Sequence, residues 1–374
     1  MRELLLLALA LLPSDARGQE ADSLAPLLEF ARRQPGDVAV MVSALRADGT
    51  PDPAHHTLSW NAAQPMPLAS TRKVVVLAAY ARAVAAGRLD PQAPVRLSEW
   101  EAFYLPGTDG GAHAASLRAL GIPADAQGRA RDGARTVPLD TLARFMIETS
   151  DNAATDVLLT RLGPGALPAT IRALGLAGQE DFGPLSGLFA AWFTPATRDA
   201  YPRMPLAGRV RDSWTRSASL RGQAAARAAL VAPANWPSPE QQAALADATD
   251  PRGTAGDFAG LMARVLTGTG LGAAEREVMA RHLGWPLRVN PGNAQAFTAL
   301  YAKGGSLPGV LTNTIAFQPK VGPAAGKRLV VSVFLRRIPL NDFQKLASGL
   351  EDAMLRAAIL PGDAERLLGA LRGR

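Results

Sequence analysis

Strand-like sequence lies at the two ends of this chain and helix-like sequence fills the middle, an arrangement that restricts the fold more than any other feature. The stretch "GDVAVMVSALRADGTPDPAHHTLSWNAAQPMPLAS", from Gly36 to Ser70, reads as two strands around a polar turn. Between Phe297 and Ile338, "FTALYAKGGS", "GVLTNTIAFQP" and "RLVVSVFLRRI" read as three more, joined by turns that contain Gly and Pro. From Ser70 to about Trp285, Ala, Leu and Arg recur at helical spacing, as in "LDTLARFMIETSDNAATDVLLTRLG" and "GTAGDFAGLMARVLTG". Strands so far apart imply one sheet built from distant segments. "SLAPLLEFARRQ" adds a helix before it, and a closing helix is expected from about Asn341 to Ala358. The expected class is α/β: a five-stranded antiparallel sheet flanked by terminal helices, with an inserted all-helical domain. Residues 19–61 and 286–374 would form the sheet domain and 62–285 the helical one.

The first residues, "MRELLLLALALLPSDARGQEA", combine a basic residue, an apolar run from Leu4 to Leu12 and small residues at Ala16 and Gly18. They read as a signal peptide, residues 1–18, cleaved near Gly18. The alternative, an uncleaved anchor, needs about 20 apolar residues, which the run lacks. A soluble periplasmic or extracellular protein is expected, without stable membrane insertion. The chain has no cysteine, which excludes disulfides, thiolate metal sites and a lipid-modified cysteine. Losing Arg2 and Arg17 together with Glu3 and Asp15 leaves the net charge of +7 unchanged. Such a charge suits anionic envelope polymers better than nucleic acid in an exported protein, or reflects a compositional habit of the source.

Of the 40 basic residues only five are lysine, so each lysine stands where an arginine would otherwise be written. Lys73, in "PLASTRKVVVLAAYARAVAAGRL", follows Ser70 by three residues and forms the only Ser-x-x-Lys pair. If a helix starts at Ser70, the two share a face. A buried lysine can give up its proton and activate a serine, which arginine cannot do. Ser150, Asp151 and Asn152 in "ETSDNAATDVLLTRL" read either as a helix N-cap or as a hydroxyl that relays protons beside an amide that binds a substrate carbonyl. Lys303, in "LYAKGGSLPG", ends an apolar strand and precedes two glycines, where a substrate could lie along the strand edge.

In that order, "STRK", "SDN" and "KGGS" resemble the three motifs of the penicillin-recognising serine enzymes, the class A β-lactamases and penicillin-binding proteins. The resemblance runs from about residue 24 to 358. It implies a β-lactamase-like fold, Ser70 as the acylated nucleophile, Lys73 as its activating partner and Ser150 as the proton relay. Asn152, Lys303 and Gly305 would hold the substrate, the backbone amides of Ser70 and Ser306 would form the oxyanion hole, and Tyr104 would match an aromatic wall of the pocket. The implied activity is β-lactam hydrolysis on a small-molecule substrate. D-alanyl-D-alanine carboxypeptidase or esterase activity on the same machinery, and a catalytically weak envelope-peptide sensor, are the alternatives.

Two departures stand out. Gly304 occupies the place where the family has a hydroxyl, so that Ser306 or Thr312 would have to substitute, and neither Thr312 nor Asn313 is the arginine that some relatives offer. The deacylating glutamate of class A enzymes is expected near Leu185 to Ser186, where the only nearby carboxylates are Glu180 and Asp181. A further basic segment, residues 188–252, carries Trp192, Trp214 and Trp236 and seven arginines between Arg198 and Leu230. It is expected to be a helical decoration. The histidines, His55, His56, His113 and His282, show no metal-ligand spacing, and no cofactor is implied.

Overall fold

In the computed structural model, residues 22–374 are described; the expected signal peptide lies outside them. Two compact units result. Among the described residues the first comprises residues 22–71, Leu176–Gln179 and Arg252–Arg374, and the second Arg72–Gly175 and Glu180–Pro251.

The first unit is built on a five-stranded sheet. Its strands are β1 (Val38–Leu45), β2 (Leu58–Trp60), β3 (Phe297–Leu307), β4 (Val310–Pro319) and β5 (Arg328–Leu335). The order is β2-β1-β5-β4-β3, with every neighbour antiparallel. The two ends of the chain meet where β1 pairs with β5, Val40 opposite Val333 and Val42 opposite Val331. Both faces of the central strands are covered, which is why "RLVVSVFL" reads as a continuous apolar run instead of alternating. Val331 and Val333 join a core with Leu27, Phe30, Leu350, Met354 and Leu367 from the terminal helices. Residues of opposite parity face another helix, Ala255–Thr267, where Phe258 meets the Phe334 ring at 5.5 Å. That helix is capped by Thr254, which accepts from the Asp257 amide, and it stops at Gly268, φ +82°.

Residues 252–285 were expected in the helical domain, as were residues 62–71. The apolar stripe Phe258, Leu261, Met262 and Val265 explains why the Ala255–Thr267 helix clusters with the sheet instead. The closing helix spans Leu340–Ile359, and a second, Pro361–Leu371, follows it. Among the described residues no helix is long and apolar enough to cross a membrane.

The second unit is helical. Lys73–Ala85, "KVVVLAAYARAVA", is apolar on all sides and almost wholly buried, as expected of a helix enclosed by others. It begins at Lys73 and not at Ser70. Ala69 adopts φ +46°, which an α-helix does not allow, and Ala69–Arg72 forms a 3₁₀ turn before the helix. In the basic segment, Trp192 is buried and donates to Thr249 Oγ1 at 2.9 Å, whereas Trp236 is exposed at its rim, edge-on to Phe193. Several of its arginines are tied down: Arg198 donates to the Trp192 carbonyl, Arg227 to that of Leu220, and Arg216 pairs with Asp212. The helix Leu185–Phe193 packs so closely on Leu206–Leu220 that a methyl group at Gly187 would lie 1.9 Å from the Ser213 carbonyl oxygen.

Candidate active site

The residues singled out by sequence fall into two groups, one in each unit. In the first, Ser70 sits on the strained turn that follows Ala69, half-buried. Its turn is locked to the sheet. Thr312 Oγ1, on β4, donates to the Leu68 carbonyl at 2.7 Å and lies 2.8 Å from Thr71 Oγ1. Gly305, on the edge strand β3, faces Thr312 across the ladder, and a Cβ there would stand 2.5 Å from the Ser70 amide nitrogen and 2.7 Å from that of Thr71. Glycine is therefore a steric requirement at 305, and it brings the β3 backbone against the Ser70 amide. Ser306, next along, has an exposed side chain. Because the Thr312 hydroxyl is buried and committed to the Leu68 carbonyl, it cannot replace the hydroxyl missing at Gly304.

Lys303 is buried at 3% exposure and donates to the Gly304 carbonyl at 2.6 Å. Burial lowers its ammonium to a pKa of about 7, against the opposing pull of Glu351. Glu351, on the closing helix, is raised by the same burial, and Asn313 Nδ2 donates to its Oε1 at 2.9 Å. Asn313 faces Gly304 across the β3–β4 ladder.

In the second unit, Lys73 is completely buried, and its Nζ donates to the Ser150 carbonyl at 2.6 Å, to Asn152 Oδ1 at 2.7 Å and to Ser150 Oγ at 3.2 Å. Ser150 holds φ +66°, a left-handed conformation that serine adopts at a cost, at the corner between the helices Leu139–Glu148 and Asn152–Leu162. Both readings of the Ser-Asp-Asn stretch coexist. Asp151 is the helix cap, accepting from the Ala154 amide at 2.8 Å, while Ser150 and Asn152 on either side turn to Lys73.

A buried brace holds that cap. His113 Nδ1 lies 3.0 Å from Asp151 Oδ2, and its Nε2 lies 3.5 Å from Glu101 Oε1. Burial works against the imidazolium, yet the attraction of Asp151 and then of Glu101 outweighs it and raises the pKa to about 9. Tyr104 stacks on His113 at 4.3 Å, is 5% exposed and donates its hydroxyl to the Gln127 carbonyl. Its ring packs on this brace.

The sequence profile of the beta-lactamase enzyme family matches residues 23–348. The chain belongs to that family. Solved structures share the family fold at low identity. A beta-lactamase from Sphaerobacter thermophilus DSM 20745 is 20% identical with a TM-score of 0.52, over 90% of this chain and 97% of that one. PBP-A is 17% identical with a TM-score of 0.53, over 90% and 96%; a PBP-A variant has been solved as an acyl-enzyme complex with penicillin G. The class A beta-lactamase of the last common ancestor of Gram-negative bacteria is 17% identical with a TM-score of 0.50, over 90% and 99%. Comparison with curated protein sequences gives no match.

In this family member the loop expected to carry a deacylating carboxylate is anchored by a residue that the sequence reading overlooked. Asp156, fully buried on the Asn152–Leu162 helix, accepts from the amides of Leu185 at 2.6 Å and Ser186 at 2.8 Å. Its pKa rises to about 6 through burial, which the Ser186 and Leu185 hydrogen bonds offset in part. Leu185 itself is buried. Asp181 is half-buried, is raised by burial, and accepts from the adjacent Phe182 amide. It lines a crevice with Arg72, Phe182, Tyr201 and Arg209, and Arg72 is paired with Asp250 at 2.9 Å. Asp156 had a legible signal, a lone acid within the apolar "NAATDVLL". Glu351 had a weaker one, standing on the closing helix between the buried Leu350 and Met354.

Proposed function

We propose that the protein is an exported serine hydrolase that forms an acyl-enzyme at Ser70, with β-lactams as its substrates. Ser70 Oγ bonds to the lactam carbonyl carbon while its proton passes to Lys73. The C–N bond then opens and the departing nitrogen takes a proton through Ser150. Water cleaves the resulting ester, regenerating Ser70 and releasing the acid. The amides of Ser70 and Ser306 receive the oxyanion, and Asn152, Gly305 and Lys303 hold the substrate. One observation carries this reading: the Lys73 amine, three residues from Ser70, is gathered with Ser150 and Asn152 into a single hydrogen-bonded cluster. Export rests on residues 1–18 alone.

Time-resolved intact-mass analysis with a penicillin tests it. The wild type is expected to gain one drug mass and Ser70→Ala none; label on Ser150 or Ser306 would overturn the assignment.

A second reading, a peptidoglycan carboxypeptidase or esterase with slow β-lactam turnover, is favoured by Leu185 and Ser186, neither of which is a carboxylate. On that basis deacylation limits turnover. A chromogenic β-lactam should show a burst of about one equivalent per enzyme and then a slow phase. Linear turnover from the start, converted to a burst by Glu180→Gln or Asp181→Asn, would instead assign the water-activating base to that residue.

A further inference from the structure

The surroundings of Lys303 differ from what a carboxylate-binding ammonium requires. A buried cation attracts an anionic substrate only if its charge is not already balanced. Here the carboxyl group that acts on it is Glu351, which Asn313 holds in place.

Asn313 reinforces the point by geometry. It lies opposite Gly304, and a Cβ at 304 would be 3.6 Å from its Nδ2 and 3.7 Å from its Cγ, so the amide fills the space alongside the missing hydroxyl. Glu351 takes the Nδ2 donor at 2.9 Å. What remains on Asn313 is an acceptor: Oδ1 is buried and has no hydrogen-bond partner among the described residues. A buried orphan acceptor calls for a donor, which a carboxylate cannot supply. The nearby hydroxyl of Thr312 is spent on the Leu68 carbonyl and offers no compensating donor.

We propose that Glu351 and Asn313 make this a subsite that, among β-lactams and related amides and esters, gives no advantage to a free carboxylate and favours a neutral N–H or ester end beside Lys303. The proposal deepens the acyl-transfer reading and rests on it. Glu351 is the specificity-determining residue, acting through Lys303 and Asn313.

The test compares benzylpenicillin with its methyl ester, which differ in the charge at issue and by one methyl group, by the rate at which each acylates Ser70. For the wild type the ester should react at least as fast as the free acid. In Glu351→Gln, which keeps the side chain's shape and removes its charge, the acid-to-ester ratio should rise by about tenfold or more. A wild-type enzyme that prefers the free acid by about tenfold overturns the proposal, and this arm needs no variant to fold. So does an unchanged ratio in a folded Glu351→Gln. If neither compound labels Ser70, the acyl-transfer reading itself fails and the proposal falls with it, an outcome distinct from a wrong ratio.

Discussion

Lys73→Arg is expected to slow acylation of Ser70 by about 100-fold or more, measured as the rate of penicillin adduct formation by intact mass. Arginine keeps the positive charge but does not release its proton at any pH where the protein is folded, so it cannot act as the base. The site also leaves it no room. Lys73 has no exposed surface and places one nitrogen among the Ser150 carbonyl, Ser150 Oγ and Asn152 Oδ1. A planar guanidinium would displace at least one of these partners. Circular dichroism and a melting curve separate lost chemistry from lost structure. A folded variant that acylates within about threefold of wild type would remove Lys73 from the base role.

Gly305→Ala is expected to reduce acylation about as severely, for a different reason. The added methyl would stand 2.5 Å from the Ser70 amide, and 2.7 Å from both the Thr71 amide and Thr312 Oγ1. Two of these are backbone atoms, so either the Ser70 turn or the β3 edge must move. Overpacking of this kind costs about 1–3 kcal/mol, and a displacement of about 1 Å at a reacting group can cost roughly 100-fold in rate. Gly304→Ala is the stability control, since its nearest neighbour would be 3.6 Å away, an ordinary contact. Melting temperatures of the two variants should therefore separate clearly; equal values would show that the close approach at 305 is easily relieved.

The sheet was legible because its signal is local. Five apolar strand patterns bounded by Gly, Pro and polar turns suffice to name β1 to β5. Pairs at short range along the chain were legible for the same reason, as with Ser150 and Asn152 flanking their capping Asp151. What escaped was decided by long-range packing. His113 has no ligand spacing in sequence, and only the fold brings it to Asp151 and Glu101. Tyr104 stacks on the same histidine, a contact that no spacing in the sequence shows. The Lys73 helix starts three residues after Ser70, and nothing in "PLASTRK" announces that Ala69 takes a left-handed conformation. Glu351 lies 48 positions beyond Lys303, and its bearing on that lysine is a property of how the closing helix packs on β5 and β1.

The strand order also sets a timetable for synthesis. β5, Arg328–Leu335, is the last strand to emerge from the ribosome, yet it sits in the interior of the sheet between β1 and β4. Until it arrives, the N-terminal hairpin and the β3–β4 hairpin have no common partner, and each leaves an inner edge open. Contacts of such long sequence separation form slowly, and unpaired edges invite pairing with other chains. A nascent chain of this design cannot close its sheet prematurely. Late closure carries the attendant risk that a chain stalled before residue 328 exposes two edges ready to aggregate.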